Sequence, residues 1–247
     1  MQTIISIKWG TRYGSEYVNR INRAIKKYTA RPTRFICFTE DKTGIDDDVI
    51  IYDLPTVNLP SYPHSVPFRK ISLWQQPLED LEGDVLYLDL DIVICGDLDR
   101  FFDYEPGEYC VAENWTQLGK GIGNTSCYRF PVGRYKHIYD DFNQDPEAID
   151  QKYKISQKYV SDTVGNMVYW PSDWAVSFKH TLLPAWPLNF FKMAKPGPNT
   201  SVVAFTGKPD PDEAMIGHWP ETKKWKRAYK YTKPCPWIED YWLDKSS

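Results

Sequence analysis

The chain has 247 residues and a formal net charge of -3, with 42% hydrophobic and 26% charged residues. That is enough chain to bury a full core, and the composition excludes a mainly disordered protein. The slight acidic excess argues against a dedicated nucleic-acid binder, which needs a basic face. Aromatic residues are abundant, with 10 Trp and 17 Tyr. Such rings suit sites for sugars and nucleobases, and they also fill cores. No apolar run approaches the roughly 20 residues of a membrane span. Met1-Gln2-Thr3-Ile4-Ile5 lacks the basic and then apolar layout of a secretory signal and reads as a first strand. Cys37, Cys95, Cys110, Cys127 and Cys235 are scattered and form no Cys-x-x-Cys pair. Reduced, mostly buried thiols and a cytoplasmic location are therefore expected.

Along the chain, Ile4 to Ile7 reads as a strand and Lys8 to Gly14 as a glycine-containing loop. Ser15 is placed to cap a helix whose apolar residues Val18, Ile21, Ile25 and Tyr28 keep the helical period. Arg34 to Thr39 and Val49 to Tyr52 read as the next strands. Strand, helix, strand at this spacing predicts a parallel sheet wrapped by helices. A proline-rich loop spans Pro55 to Pro67. A helix is expected from Phe68 to Leu78, with Ile71, Trp74 and Leu78 on one face and the cations Arg69 and Lys70 at its opening. Asp84-Val85-Leu86-Tyr87-Leu88 is apolar at nearly every position, as a central strand buried on both faces requires. The second half is rich in proline, which forbids long helices. Strands are expected near Thr125 to Phe130, Val168 to Trp170 and Val202 to Phe205, and a helix near Tyr135 to Phe142.

The central strand runs straight into Asp89-Leu90-Asp91. In parallel α/β sheets ligands bind just beyond the carboxyl ends of strands. Two carboxylates at a buried strand end need something to offset their desolvation. A hard divalent cation, Mn²⁺ or Mg²⁺, held by Asp89 and Asp91 and shared with substrate phosphates, would do so. The plainer reading is a solvated turn.

Here the sequence resembles the GT-A fold glycosyltransferases, especially the family-8-like and related small bacterial and viral enzymes. The run from Asp84 to Leu98 looks like their Asp-x-Asp strand and its continuation. Phe68 to Trp74 is similar to the preceding helix, whose basic residues face the donor. Gly123 to Phe130 looks like a weakened Asn-Ser-Gly strand that meets the donor sugar through Asn124. Tyr159 to Thr163 resembles the segment with an Asp-Gln pair near the reacting centre, Thr163 standing for the glutamine. Val202 to Pro209 resembles the closing motif, in which Gly207 and Lys208 meet the diphosphate. The resemblance implies an α/β GT-A fold with a mostly parallel sheet and an irregular acceptor-side half. It implies transfer of a sugar from a nucleotide-diphosphate sugar to a hydroxyl acceptor, either a glycan or a lipid-linked saccharide. Trp9, Gly10, Thr11 and Tyr13 would hold the nucleotide, with Arg69 and Lys70 near phosphate; Thr39, Glu40 and Asp41, at the next strand end, are placed to bound the base pocket. Asp162 would be the acid near the reacting carbon, with Asp173 its rival. The histidine that often supplies a third metal ligand is replaced by Ala204, leaving water or His218 for that place.

Other features have plainer readings. Gly119-Lys120-Gly121-Ile122-Gly123 lacks a following Lys-Ser/Thr and a preceding predicted strand, so neither nucleotide-loop fingerprint is met. His64, His137, His180 and His218 show no zinc spacing. Trp170, Trp174 and Trp186 suit an acceptor-stacking cluster and a core equally. Asp89-Leu90-Asp91-Ile92-Val93 also matches the nucleophile motif of haloacid-dehalogenase-type phosphatases, with Asp140-Asp141 as the acidic pair. A non-catalytic nucleotide-sugar or carbohydrate-binding protein is the third reading. One domain over 1–247 is expected, with a nucleotide-sugar half (1–100), an acceptor-side half (101–215) and a C-terminal extension (216–247). In that extension Lys223, Lys224, Lys226, Arg227, Lys230 and Lys233 interleave with Trp225, Tyr229 and Tyr231. Residues 223–233 thus suit peripheral contact with an anionic inner membrane face, or a helix that packs Trp225 on the domain.

Overall fold

The computed structural model describes residues 1–220, 223, 225, 226 and 229–242. Strands β1 (Gln2–Lys8), β2 (Thr33–Thr39) and β3 (Ile50–Tyr52) are parallel neighbours, and β4 (Asp84–Leu88) pairs parallel with the other edge of β1. With β6 (Cys110–Glu113), β7 (Gly123–Pro131) and β8 (Val168–Tyr169) they form a seven-stranded sheet in the order β3-β2-β1-β4-β7-β6-β8. Only β7 runs against the rest. This is the mostly parallel α/β sheet expected from the strand spacing.

Both faces are covered, which explains the unbroken apolar run of β4. Leu86 and Leu88 face one core, with α1 (Ser15–Tyr28). Val85 and Tyr87 face the other, with α3 (Lys136–Gln144) and α5 (Ser156–Val164). The predicted period of α1 holds, since Val18, Ile21 and Ile25 are buried. Each contributes roughly 1.5–3 kcal/mol by leaving water. Ser15 is not the cap: the helix starts there, after Gly14, and no side chain caps it.

Two other expectations are corrected, and the strands divide between two sheets. The segment before β4 is a 3-10 helix over Pro63–Trp74 and not an α-helix from Phe68 to Leu78. Pro67 inside it has no N–H for an α-helical bond. Arg69 and Lys70 therefore lie within the segment and not at its opening. The chain also leaves the large sheet after β4. Ile92–Ile94 forms β5 of a second sheet, antiparallel to β10 (Val202–Ala204), which is parallel to β9 (Ala175–Ser177). Finally, β6 does precede the glycine-rich run at 119–123, which is the loop of a β6–β7 hairpin. The second half also carries α2 (Arg100–Asp103), α4 (Pro146–Tyr153), α6 (Pro211–Met215) and α7 (Trp237–Trp242). All five cysteines are free, four of them buried. Among the described residues no helix is long and apolar enough to cross a membrane.

Candidate active site

Asp89 sits one residue beyond β4, its N–H donating to the Ser126 carbonyl across the ladder to β7 (2.9 Å). Two residues later the Asp91 carbonyl accepts from the N–H of Phe205, at the end of β10 (3.1 Å). Backbone pairing thus places two carboxylates together at the carboxyl edge of the central strand. Asp89 Oδ1 accepts from the buried Tyr87 hydroxyl (2.7 Å) and from Lys70 Nζ (2.5 Å). Lys70 also donates to the Thr125 carbonyl (3.3 Å) and lies over the Tyr87 ring. Asp91 Oδ2 accepts from the Tyr13 hydroxyl (2.9 Å).

One lysine does not balance two carboxylates. Burial first, and then the charge of Asp89, pushes the Asp91 carboxyl up to about 7, while Lys70, the Tyr13 hydroxyl and Arg12 act the other way. Asp89 Oδ2 and Asp91 Oδ1 have no protein hydrogen bond among the described residues. Two hard oxygens with uncompensated charge fit a divalent cation of the Mg²⁺ or Mn²⁺ class. Among the described residues no third His, Cys, Asp or Glu completes a metal cluster with them. Ala204 is buried opposite Ile92, and His218 is exposed beyond α6, its N–H bonded to the Glu213 carbonyl. The aspartate pair is therefore the candidate donor set.

The loop after β1 is only partly drawn to this pair. Tyr13 reaches Asp91, whereas Trp9 packs on the other core, with Phe38 and Tyr87. Gly10 has a left-handed φ of +59° and donates its N–H to Glu40 Oε1 (2.8 Å). This joins the loop to the end of β2, where buried Thr39 lies opposite Lys8 and bonds the Asp41 backbone (3.1 Å). Thr11 is exposed. Arg69 has no hydrogen bond or ion pair with either aspartate among the described residues, and its buried Nε is unpartnered. Asn124 is buried near the start of β7, its Oδ1 accepting from Ser126 N–H (3.0 Å).

Asp162 is exposed on α5, ion-paired to Lys158 at 2.7 Å. The α5 face that meets the sheet edge carries Ser161, which accepts from Gly123 N–H (3.0 Å), and Gln157, which accepts from Asn114 Nδ2 (3.0 Å). Asn114 follows β6, which runs with β4, so these groups share the carboxyl edge with Asp89. Sequence reasoning missed Gln157. Its signal was the i, i+4 spacing to Ser161 on one helix face. Asp173 bonds Asn199 at the surface. Trp170 and Trp174 pack against Phe101 and Tyr104, while Trp186 is 66% exposed, so the three do not form one stacking cluster. Asp140 pairs with Lys136, and Asp140-Asp141 add no ligands to the aspartate pair.

Gly207, with φ of +77°, and Lys208 follow β10. Lys208 Nζ is held by Asp210 (2.6 Å) and Glu213 (2.7 Å), the two residues that form the capping box of α6. These bonds raise its pKa against the opposing effect of burial. Arg12 reaches the same Asp210 at 3.3 Å. A cavity of about 660 Å³ lined by Cys95, Lys195, Thr200, Trp237 and Tyr241 opens at the other end of β5 and holds none of these groups.

No family model matches the sequence, and no curated protein matches it. Solved structures do match. A galactosyltransferase, LgtC, in complex with donor and acceptor sugar analogues aligns with a TM-score of 0.55 and 14% identity, over 85% of this chain and 89% of that one. An active-site mutant of LgtC aligns at 0.57 and 14% identity, over 92% and 99%. The glycosyltransferase GlyE of Streptococcus pneumoniae TIGR4 aligns at 0.54 and 15% identity, over 85% of this chain and 56% of that one. The arrangement of a mostly parallel seven-stranded sheet with helices on both faces is thus a fold this chain shares with known GT-A glycosyltransferases.

Proposed function

We propose that this protein is a glycosyltransferase that moves a sugar from a nucleotide-diphosphate sugar to a hydroxyl acceptor. The observation that carries the reading is the aspartate pair at the carboxyl edge of β4, with more negative charge than Lys70 balances, in a fold shared with glycosyltransferases. Asp89 and Asp91 would hold Mn²⁺ or Mg²⁺, which supplies Lewis-acid stabilisation of the departing diphosphate. Tyr13 and Gly10 would line the nucleotide side. Lys70 orients Asp89 and adds positive charge on the β7 side, where Asn124 stands near the donor sugar. Gln157 and Ser161 are better placed than Asp162 to meet the sugar or acceptor, because they are on the α5 face bonded to the sheet edge. A phosphatase of the haloacid-dehalogenase type is not favoured, since its second acidic pair does not assemble.

The test is a thermal-shift screen of nucleotide sugars with Mn²⁺, because a ligand that binds only the folded state raises apparent stability. One donor should stabilise the protein, only with metal, and be turned over when an acceptor panel is added. Binding without turnover across that panel supports the non-catalytic reading instead.

A lipid-linked acceptor is the second part of the proposal. Trp225 is 66% exposed and Tyr229 is 43% exposed, which supports the membrane-facing alternative. Asn189 bonds the carbonyls of Tyr229 and Tyr231, and its chain neighbours Trp186, Leu188 and Phe191 are exposed. Aromatics among lysines suit the headgroup level of an anionic bilayer. Lys224 and Arg227 lie outside the described residues. Co-sedimentation with phosphatidylserine vesicles at low salt, lost when Lys223, Lys226, Lys230 and Lys233 are changed to Gln, is the expected result. A protein that stays in the supernatant has a soluble acceptor.

A further inference from the structure

Lys179 follows β9 in a short π-helical turn over Phe178–Leu182. Because β9 and β10 are parallel neighbours, with Ser177 opposite Ala204, their carboxyl ends leave the small sheet side by side. Lys179 therefore meets the Thr206-Gly207-Lys208 loop. Its Nζ donates to the Thr206 carbonyl (2.6 Å) and lies 3.6 Å from where a Cβ on Gly207 would stand. The residue that opens this loop, Phe205, is the one bonded to the Asp91 backbone. Lys179 thus lines the loop that β10 carries away from the Asp91 backbone, on its Gly207 side.

An ammonium group carries three donors, and Lys179 spends one on Thr206. It is half-buried, and burial first and Lys230 second lower its pKa. No acid among the described residues pairs with it, so a second cation nearby adds to the cost of holding its charge. Lys208 is the reverse case. It is already bound to two carboxylates, both fixed by the cap of α6, and would have to leave both to reach a ligand.

We propose that Lys179, and not Lys208, is the cation of this loop that takes the diphosphate oxygens of the donor, beside the open face of Gly207. The inference rests on the glycosyl-transfer reading and deepens it. Lys208 instead locks the turn into α6. As the bond between the sugar and the diphosphate breaks, negative charge builds on the diphosphate, where Lys179 stabilises it.

Calorimetric titration of pyrophosphate, UDP, GDP, CDP and ADP with Mn²⁺ tests this on the full chain. Wild type should bind at least one nucleoside diphosphate. Lys179→Gln should weaken it, and pyrophosphate, by about tenfold to a hundredfold, the range of a lost charged hydrogen bond. Lys179→Arg should restore most of the affinity, and Lys208→Gln should weaken binding less than Lys179→Gln does. Wild-type affinity in Lys179→Gln, or the larger loss in Lys208→Gln, overturns the assignment and leaves the glycosyl-transfer reading standing. If wild type binds none of the panel, both fall. Acetic anhydride labelling of the wild-type protein gives a readout free of folding defects. Lys179 should be protected by the bound diphosphate while exposed Lys192 is not, and unchanged labelling of Lys179 overturns the proposal.

Discussion

Asp91→Asn should separate the stability of the metal-free protein from its activity. The Asp91 carboxyl rises from 3.8 to about 7, through burial first and then the charge of Asp89. An acid whose pKa is higher in the folded state holds its proton more tightly there. It costs nothing below about pH 4, costs progressively more up to about pH 7, and stays at that level above. A rise from 3.8 to about 7 corresponds to about 4 kcal/mol. The side chain keeps a partly exposed edge, and solvent there cuts the figure to about 2 kcal/mol. The neutral amide removes this cost, and its oxygen can still accept from the Tyr13 hydroxyl. Urea unfolding in chelator should show the variant more stable than wild type by about 2 kcal/mol at pH 8, with the curves converging near pH 4. Glycosyl transfer with Mn²⁺ should be lost. A variant equal to or weaker than wild type at pH 8 in chelator refutes the charge argument. Full transfer activity in the variant refutes the metal assignment.

Two further outcomes follow from burial. Arg129 is fully buried, and its guanidinium donates to the carbonyls of Phe101, Glu105 and Glu108. Arg129→Met should cost about 3 kcal/mol, read by urea unfolding, because the Phe101, Glu105 and Glu108 carbonyls and the Asp84 carboxylate lose a charged partner. The four buried thiols should be inert in the native state. Burial raises Cys37 and Cys95 to about 12 and Cys110 to about 11, and raises Cys127 and Cys235 as well. Disulfide-reagent titration at pH 8 should give at most one fast-reacting thiol before denaturation, the half-buried Cys95, and five after it; a second fast native thiol contradicts the burial.

What the sequence made legible was local. The period of Val18, Ile21 and Ile25 revealed α1, and the unbroken run of β4 revealed a strand buried on both faces. The aspartates could be found because a strand end is itself a local feature. The partition into two sheets was hidden, because Ile92-Val93-Ile94 is as apolar as β4 and periodicity cannot say which neighbour it pairs with. The 3-10 helix was hidden because the apolar residues Ile71 and Trp74 are spaced alike in either helix, and only Pro67 marks the difference. Asp162 and Gln157 are five positions apart on one helix, and tertiary packing alone decides which faces the sheet. Lys179 had no motif around it. Its setting arises from the parallel pairing of β9 with β10, a contact between segments far apart in the chain.

The two aspartates are tied to different sheets. The backbone of Asp89 is tied to β7 in the large sheet, and that of Asp91 to the end of β10 in the small one. Only Leu90 lies between them, so the seam between the sheets passes through the candidate site. Sliding one sheet against the other changes the distance between the carboxylates, and a ligand that fixes that distance fastens the sheets together. Amide exchange at the Asp89–Ser126 and Phe205–Asp91 bonds should therefore slow in concert when metal and nucleotide are added, even though the two bonds lie in separate ladders.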